Sequence, residues 1–435
     1  MPRERTLRPQ SRRVLLLATT TGYQTRMFED AAAGAGVEIV YGTDRCHHLE
    51  DPWRDGAIAV RFDDREASLP ALQEALAHRP VDGVLAVGDG PAALAALVMR
   101  HLGLPGHDPD GAATARDKRR MRARLRMAGL AVPEVTVLHA GSNAAVVAES
   151  LSYPVVVKPT TLSGSRGVIR ADDAAAFVAA VERVRRLLAS PELRGSAGEG
   201  AGVVQVEGYV DGSEYAVEGL LEHGDLRVFA IFDKPDPLVG PFFEETLYVT
   251  PSRASQPTQH AIVTAVASAA RAIGLWHGPV HAECRVAADG VYVLEVAARP
   301  IGGLCARALR FVREAESSHA PVGLEVLLLR HALGEPASAW VREPEASGVM
   351  MIPIPRAGVL RRVDGVEAAC AVPGIDGVAI TAKPDQRLVP LPEGASYLGF
   401  IFARAGTPGA VEQALRDAHA ALRFAIDPVI PVVTT

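Results

Sequence analysis

A lysine closes a run of valines in YPVVVKPTTLSGSRGV (153–168), and a loop of Ser, Gly and Arg follows it. Small residues beside a lysine suit phosphate, because bare backbone N–H groups can approach anionic oxygens while the ammonium supplies a compact charge. The order is the reverse of the glycine loop that precedes its lysine at the start of a helix, and no Gly-Lys pair occurs in the chain. Val155, Val156 and Val157 favour a strand, Lys158 ends it, Pro159 cannot continue a ladder, and Val168 to Arg170 reads as a returning strand. The lysine therefore belongs on a sheet beneath a hairpin tip. A solvated surface hairpin has the same local pattern, so other residues must decide.

A pair of acids forms the second constellation. VHAECRV (280–286) and VYVLEV (291–296) alternate with period two, setting Ala282, Cys284, Val286, Tyr292, Leu294 and Val296 on one face and His281, Glu283, Arg285 and Glu295 on the other. A two-residue Asp-Gly turn would pair Glu283 with Val296. A three-residue loop, Ala288-Asp289-Gly290, pairs Glu283 with Glu295, and the apolar alternation requires that register. Two opposed carboxylates repel unless a cation lies between them, and hard oxygen ligands suit Mg²⁺ carried with a nucleotide phosphate; a solvated acidic face is the plain alternative. Upstream, QVEGYVDGSEYAVEG (205–219) leaves a strand at Glu207, turns, and re-enters one with Glu214. Such a hinge can offer backbone groups and one acid to a purine and a second acid to ribose hydroxyls. Read alone it is an acid-capped turn. Only four of 45 basic residues are lysines, at 118, 158, 234 and 383, and Lys118 and Lys158 sit where phosphate chemistry could use a point charge.

Other chemistries find less support. There is no GxSxG elbow and no HExxH, and Cys46, Cys284, Cys305 and Cys370 have neither metal nor redox spacing, which fits a reduced cytoplasmic setting. Gly22 is not part of a GxGxxG, which argues against a nicotinamide site. A net charge of -6 and the lack of a basic, aromatic-studded run argue against nucleic acid. The apolar stretch Val14 to Ala18 is too short for a signal peptide, and no run is long enough to cross a bilayer.

These residues need elements to carry them. Strands at Val14–Ala18, Val37–Tyr41 and within VDGVLAVGDG alternate with helices through MFEDAAAGAG, LPALQEALAH and beyond Pro91, which predicts an open parallel α/β domain over 1–112. A helix is expected over Thr114 to Pro133, with Asp117 early and Gly129 as its stop. The lysine hairpin, a long helix after Asp173 and a Gly-rich linker at 191–202 follow, and then strands VVQVEGYV, EYAVEGLLE and LRVFAIFDK. PLVGPFFEETLYVTPS reads as a loop, QHAIVTAVASAARAIGL as a helix, and the section after about residue 345 as a separate unit of short strands and one helix.

Together, Lys118 in its DK helix, YPVVVKP with its loop, EGYVDGSE, HAECRV with VYVLEV, and AARPIGG resemble the ATP-grasp superfamily, in which two lobes grip a nucleotide and the strand lysine lies under a lid. The resemblance implies an N-terminal open α/β domain at 1–112, a two-lobed ATP-grasp fold at 113–345 with its smaller lobe at about 136–210, and a small α+β domain at 346–435. It implies Lys118 and Lys158 on phosphates, a lid of Ser163, Gly164, Ser165 and Gly167, adenine at Glu207, Tyr209 and Val210, and ribose at Glu214. Glu283 and Glu295 would hold two magnesium ions, and Arg299 would stabilise the transferred phosphoryl group; where many relatives carry Asn this chain has Ala297. EVAARPIGG and the tail from SGVMMIPIPRAGVL resemble the L-amino-acid ligases, which implies ATP-dependent joining of a carboxylate to an amine through an acyl phosphate, with Glu245, Tyr248, Gly302 and Gly303 lining the acceptor pocket. The implied partners are small molecules, and a homodimer is compatible with the family. A carboxylase or nucleotide-biosynthesis ligase of the same fold, and a nucleotide-binding module without chemistry, remain as alternatives.

Overall fold

The structure is a computed structural model describing residues 12–19, 24–44, 56–193, 202–314 and 320–429. Gly22, Cys46 and most of the linker expected at 191–202 lie outside the described residues. The first sheet is parallel, in the order Ile58–Ala59, Glu38–Thr43, Arg13–Ala18, Gly83–Val87. Val14 and Leu16 enter one apolar core and Leu15 and Leu17 another, so the central strand is covered on both faces, as an unbroken apolar run requires. The strand Gly83–Val87 runs through Gly88 (φ 97°) into the helix Asp89–Leu102, which brings Asp89 to the carboxyl end of the sheet.

Instead of one helix over 114–133 there are two, Pro109–Arg116 and Lys118–Met127. Asp117 divides them: its backbone is extended and its carboxylate accepts from the N–H groups of Arg119 and Arg120, so the acid expected early in a helix is an N-cap. The break lets the N–H of Lys118 donate to the carbonyl of Thr160 at 2.9 Å, two residues beyond Lys158.

The small lobe is an antiparallel sheet ordered Val135–Leu138, Val204–Gly208, Val155–Pro159, Ile169–Ala171, and the helix Ala174–Leu188 packs Phe177, Val181 and Val184 against it. The large sheet has eight antiparallel strands: Gly290–Ala297, Gly278–Ala287, Ser213–Glu222, Asp225–Asp233, Leu247–Thr250, Ala346–Ile352, Gly399–Ala405 and Ile375–Ile380. Leu247–Thr250, read from sequence as loop, is the strand that joins the middle of the chain to its end; four residues before a proline leave little periodicity to read. The section beyond residue 345 joins this large sheet rather than standing apart, although it keeps an apolar core of its own. Among the described residues no helix is long and apolar enough to cross a membrane.

Candidate active site

A cleft of about 340 Å³ opens between the small lobe and the large sheet. Strand alternation puts the lysine there: Val155 and Val157 point into the small-lobe core while Val156 and Lys158 line the cleft. Lys158 Nζ lies 2.5 Å from Glu207 Oε2. Arg122 holds the other oxygen of Glu207 at 2.7 Å, and Gln205 donates to it as well. Burial alone would raise the Glu207 carboxyl, but Arg122 and Lys158 outweigh it and keep the group well below the usual carboxylate range. The expected hinge lines the cleft through Glu207, Tyr209 and Val210. Its hydrogen-bonding capacity is largely spent within the protein: the N–H groups of Gly208 and Tyr209 donate to the carbonyls of Glu134 and Pro154, and Arg285 donates to the carbonyl of Val210. Glu214 is also engaged, accepting from Lys234 at 2.8 Å and Arg285 at 2.8 Å.

Glu283 and Glu295 are paired across adjacent strands, as the alternation required, but the turn is not the one expected. Ala287 pairs with Gly290, so the loop is the two residues Ala288 and Asp289, and a bulge after Cys284–Val293 restores the Glu283–Glu295 register. The extra residue moves Val291 and Val293 into the core and leaves Leu294 lining the cleft, so the faces assigned to Tyr292 and Leu294 were inverted. Arg122 fixes the bulge. Buried to 1% exposure, it donates to the carbonyls of Val293 at 2.9 Å and Leu294 at 2.8 Å while it holds Glu207.

Around the two acids the charges interlock. Lys118 lies 3.4 Å from Glu295 and donates to the carbonyl of Leu162 at 2.7 Å. Glu283 has Lys234 at 3.5 Å, the Tyr248 hydroxyl at 3.5 Å and His281 at 3.7 Å. Burial works against a charged imidazole, yet hydrogen bonds to Glu218 and Glu283 push His281 up to about 9. Glu214, Glu245 and Glu283 bring carboxylate oxygens within 4.8 Å of one another, with the ammonium of Lys234 among them. Burial works against that ammonium, and the three carboxylates overcome it and hold its titration well above the ordinary lysine range. Burial, and next the charge of Glu283, raises Glu245 to about 7. Arg299 lines the cleft and is oriented by a two-pronged pair with Asp89 at 2.6 and 3.2 Å.

Apolar and aromatic lining comes from the last section of the chain: Met351, Tyr397 and Phe400 share the cleft with Tyr248, Cys305, Gly302 and Gly303, and the ring of Phe400 packs beside Gly303. Of the residues singled out from sequence, Lys118, Lys158, Ser163, Gly164, Ser165, Glu207, Tyr209, Val210, Glu214, Glu245, Tyr248, Glu283, Glu295, Arg299, Gly302 and Gly303 line this cleft and Gly167 does not. Gly167 stands at φ 74°, where a Cβ would press on Pro159 and Leu187, and its N–H donates to the carbonyl of Pro392. Sequence reading set His281 and Arg285 on the face of the two acids without giving them a role, and passed over Asp89, Arg122, Lys234, Tyr397 and Phe400. Of those five, Lys234 carried a usable signal, its rarity among so many arginines.

Residues 28–106 match the ATP-grasp N-terminal domain, residues 151–308 the ATP-grasp domain and residues 350–427 the L-amino acid ligase C-terminal domain 2. The uncharacterized protein y4rH of Sinorhizobium fredii is 26% identical over 359 residues, 80% of this chain and 69% of that one. An alanine–anticapsin ligase of Bacillus subtilis is 28% identical over 204 residues, and the match spans 44% of this chain and less than half, 42%, of that ligase. Among solved structures, the L-amino acid ligase from Bacillus licheniformis superposes with a TM-score of 0.76 at 24% identity, covering 96% of this chain and 99% of that one. The N5-carboxyaminoimidazole ribonucleotide synthetase of Thermotoga maritima gives 0.64 at 14%, covering 95% and 99%. With sheets, cleft and matched segments in agreement, the chain belongs to the ATP-grasp superfamily and, within it, resembles the L-amino-acid ligases.

Proposed function

We propose that this ATP-grasp ligase joins a small carboxylic acid to an amine at the expense of ATP, its substrates being amino acids or an amino acid and a related small molecule. The observation that carries the proposal is the meeting of Glu283 and Glu295 on adjacent strands in one cleft with Lys118, Lys158 and Arg299. A carboxylate oxygen attacks the γ-phosphorus as the bond to ADP breaks. The amine then attacks the acyl carbon, phosphate leaves with the C–O electron pair, and the nitrogen gives up a proton. Neither step needs a protein nucleophile; positioning and charge neutralisation suffice.

Lys158 and Lys118 take the phosphates, with Ser163, Gly164 and Ser165 closing over them, and the walls at Tyr209 and Val210 receive the base. Glu214 reaches ribose hydroxyls in concert with Arg285. The donor set fits magnesium: Glu283 and Glu295 offer hard carboxylate oxygens, and burial of Glu283 is outweighed by Lys234 and His281, which keep its carboxyl far below the usual range. Magnesium at that pair supplies Lewis-acid neutralisation of phosphate charge. Arg299, held by Asp89, points its charge at the phosphoryl group in transit. Glu245, Tyr248, Gly302 and Gly303 border the second substrate. We assign the nucleotide-binding region to about 113–345, preceded by the α/β domain at 1–112 and followed by the L-amino-acid-ligase-like section at 346–435.

An ADP-release screen tests this: single and paired amino acids with ATP and magnesium, and mass spectrometry of the products. ADP formation that needs both an acid and an amine, with a matching amide, is the expected outcome. Release driven by bicarbonate would favour the carboxylase reading, and nucleotide binding without turnover under any pairing would favour a binding module.

A further inference from the structure

We propose that Glu393 is a positioning residue that makes the phosphate lid and the outer wall of the second-substrate pocket move as one body. The proposal rests on the reading that the hairpin tip at 161–167 closes over phosphates. Two contacts from that hairpin reach the backbone carbonyls of two consecutive residues near the end of the chain, and a third, from the helix Ala174–Leu188 that packs behind the hairpin, grips the carboxylate of the second. Arg166 Nε donates to the carbonyl of Glu393 at 2.8 Å, and the N–H of Gly167 donates to the carbonyl of Pro392 at 2.8 Å. Arg183, on the helix behind the hairpin, grips both oxygens of Glu393 at 2.5 and 2.9 Å. Its guanidinium also lies 5.0 Å over the ring of Phe242, whose backbone bridges Ile169 on the returning strand of the hairpin.

Just past Glu393 the same segment turns inward, so that Ala395, Ser396 and Tyr397 line the cleft. The turn is tight. The N–H of Gly394 donates to the carbonyl of Pro390 at 2.9 Å, which closes the turn, and the backbone at 394 lies so near the carbonyl of Val389 that only glycine fits there. On the other side of the contacts, Ser163, Gly164 and Ser165 line the phosphate end. Displacing the tip therefore drags Pro392 and Glu393, and through a tight turn the ring of Tyr397. The coupling is reciprocal: a molecule seated against Tyr397 holds the lid, and nucleotide under the lid completes the wall. The link suits a catch that opens every turnover, because Arg183 and Glu393 are 40% and 38% exposed and a pair so wet contributes little to overall stability.

Hydrogen exchange read by mass spectrometry on the full chain, with and without MgATP, tests the coupling. In nucleotide-free protein Glu393→Ala should raise exchange about two- to fivefold both in 161–167 and in 395–398, while the strand Val155–Pro159 keeps its protection, and MgATP affinity should fall by a similar factor. Arg183→Ala must give the same pattern from the other side. The swap Arg183→Glu with Glu393→Arg should restore both segments, which a merely structural role for Glu393 would not require. Unchanged lid exchange in Glu393→Ala, loosening of 161–167 without 395–398, or a swap that behaves like the single variants would each overturn the proposal. If the wild type fails to bind MgATP, the ligase reading falls, and exchange in nucleotide-free protein still judges the coupling.

Discussion

The two ends of the cleft are made of different material. At the nucleotide end every charge has a partner within reach: Lys158 and Arg122 on Glu207, Arg285 and Lys234 on Glu214, Lys118 on Glu295, Asp89 on Arg299. Met351, Tyr397 and Phe400 give the cleft apolar and aromatic surface instead, and Tyr248 stands between the two, its hydroxyl 3.5 Å from Glu283. The charged end is preorganised, since a network whose members are paired before the ligand arrives needs little rearrangement when phosphate replaces one partner. The apolar end is tied instead to the lid and to the last strands of the large sheet. Under the proposed ligase reading, phosphoryl transfer belongs to the charged end and the choice of acid and amine to the other.

The sharpest way to break this division is at the pair of opposed carboxylates. Glu295→Gln keeps the shape of the side chain and removes half of the charge that a bridging magnesium would need, so turnover should fall roughly a hundredfold or more while urea denaturation and nucleotide-free exchange stay near wild type. Turnover within a few-fold of wild type would remove the metal role from Glu295 and with it the reason for placing phosphoryl transfer at this end.

Lys158→Ala acts on the same end with a smaller effect. Losing one charge-assisted contact of roughly 1.5 to 3 kcal/mol should raise the MgATP dissociation constant by about one to two decades. The fold tolerates the change because Glu207 keeps Arg122 and Gln205. Calorimetry reads the result, and an unchanged affinity would mean that Lys158 serves only to neutralise Glu207. If affinity falls while the dependence on the second substrate stays fixed, the two ends are separable; a parallel loss at both would point to traffic through the lid.

The charged end was the more legible one, for a physical reason. Lys158, Glu207, Glu214, Glu283 and Glu295 sit on strands whose period-two alternation announces which face they share, and each lies beside a turn with recognisable chemistry. Even there the route to the right register was misread: a bulge inserts a residue with no sequence mark, and a three-residue loop produces the same pairing of Glu283 with Glu295. Arg122 is one of many arginines, and what distinguishes it, carbonyls at 293 and 294 left free by the bulge, exists only after folding. Asp89 reaches Arg299 across 210 positions. Tyr397 and Phe400 enter the cleft only because Leu247–Thr250 joins the final section to the large sheet, and that strand was itself read as loop.

The smallest expected effect comes from the apolar end, where two adjacent glycines separate space from strain. Sequence reading treated Gly302 and Gly303 alike, as lining of the acceptor pocket. The structure distinguishes them. A Cβ on Gly302 would find nothing nearer than Arg299 Nη1 at 3.9 Å, so Gly302→Ala should change stability by no more than about 0.5 kcal/mol. Gly303 stands at φ 61°, and a Cβ there would come within 3.1 Å of the ring of Phe400, so the space beside it is already filled by an aromatic. Gly303→Ala therefore carries left-handed strain of about 1 to 2 kcal/mol, in part relieved if Phe400 shifts. Urea denaturation should rank the two, with Gly303→Ala the less stable, and Gly303→Ala with Phe400→Leu should recover the part owed to crowding but not the part owed to φ. Equal stabilities for the two single variants would overturn both the left-handed strain and the crowding by Phe400 assigned to Gly303, and the apolar end would then be as permissive at Gly303 as at Gly302.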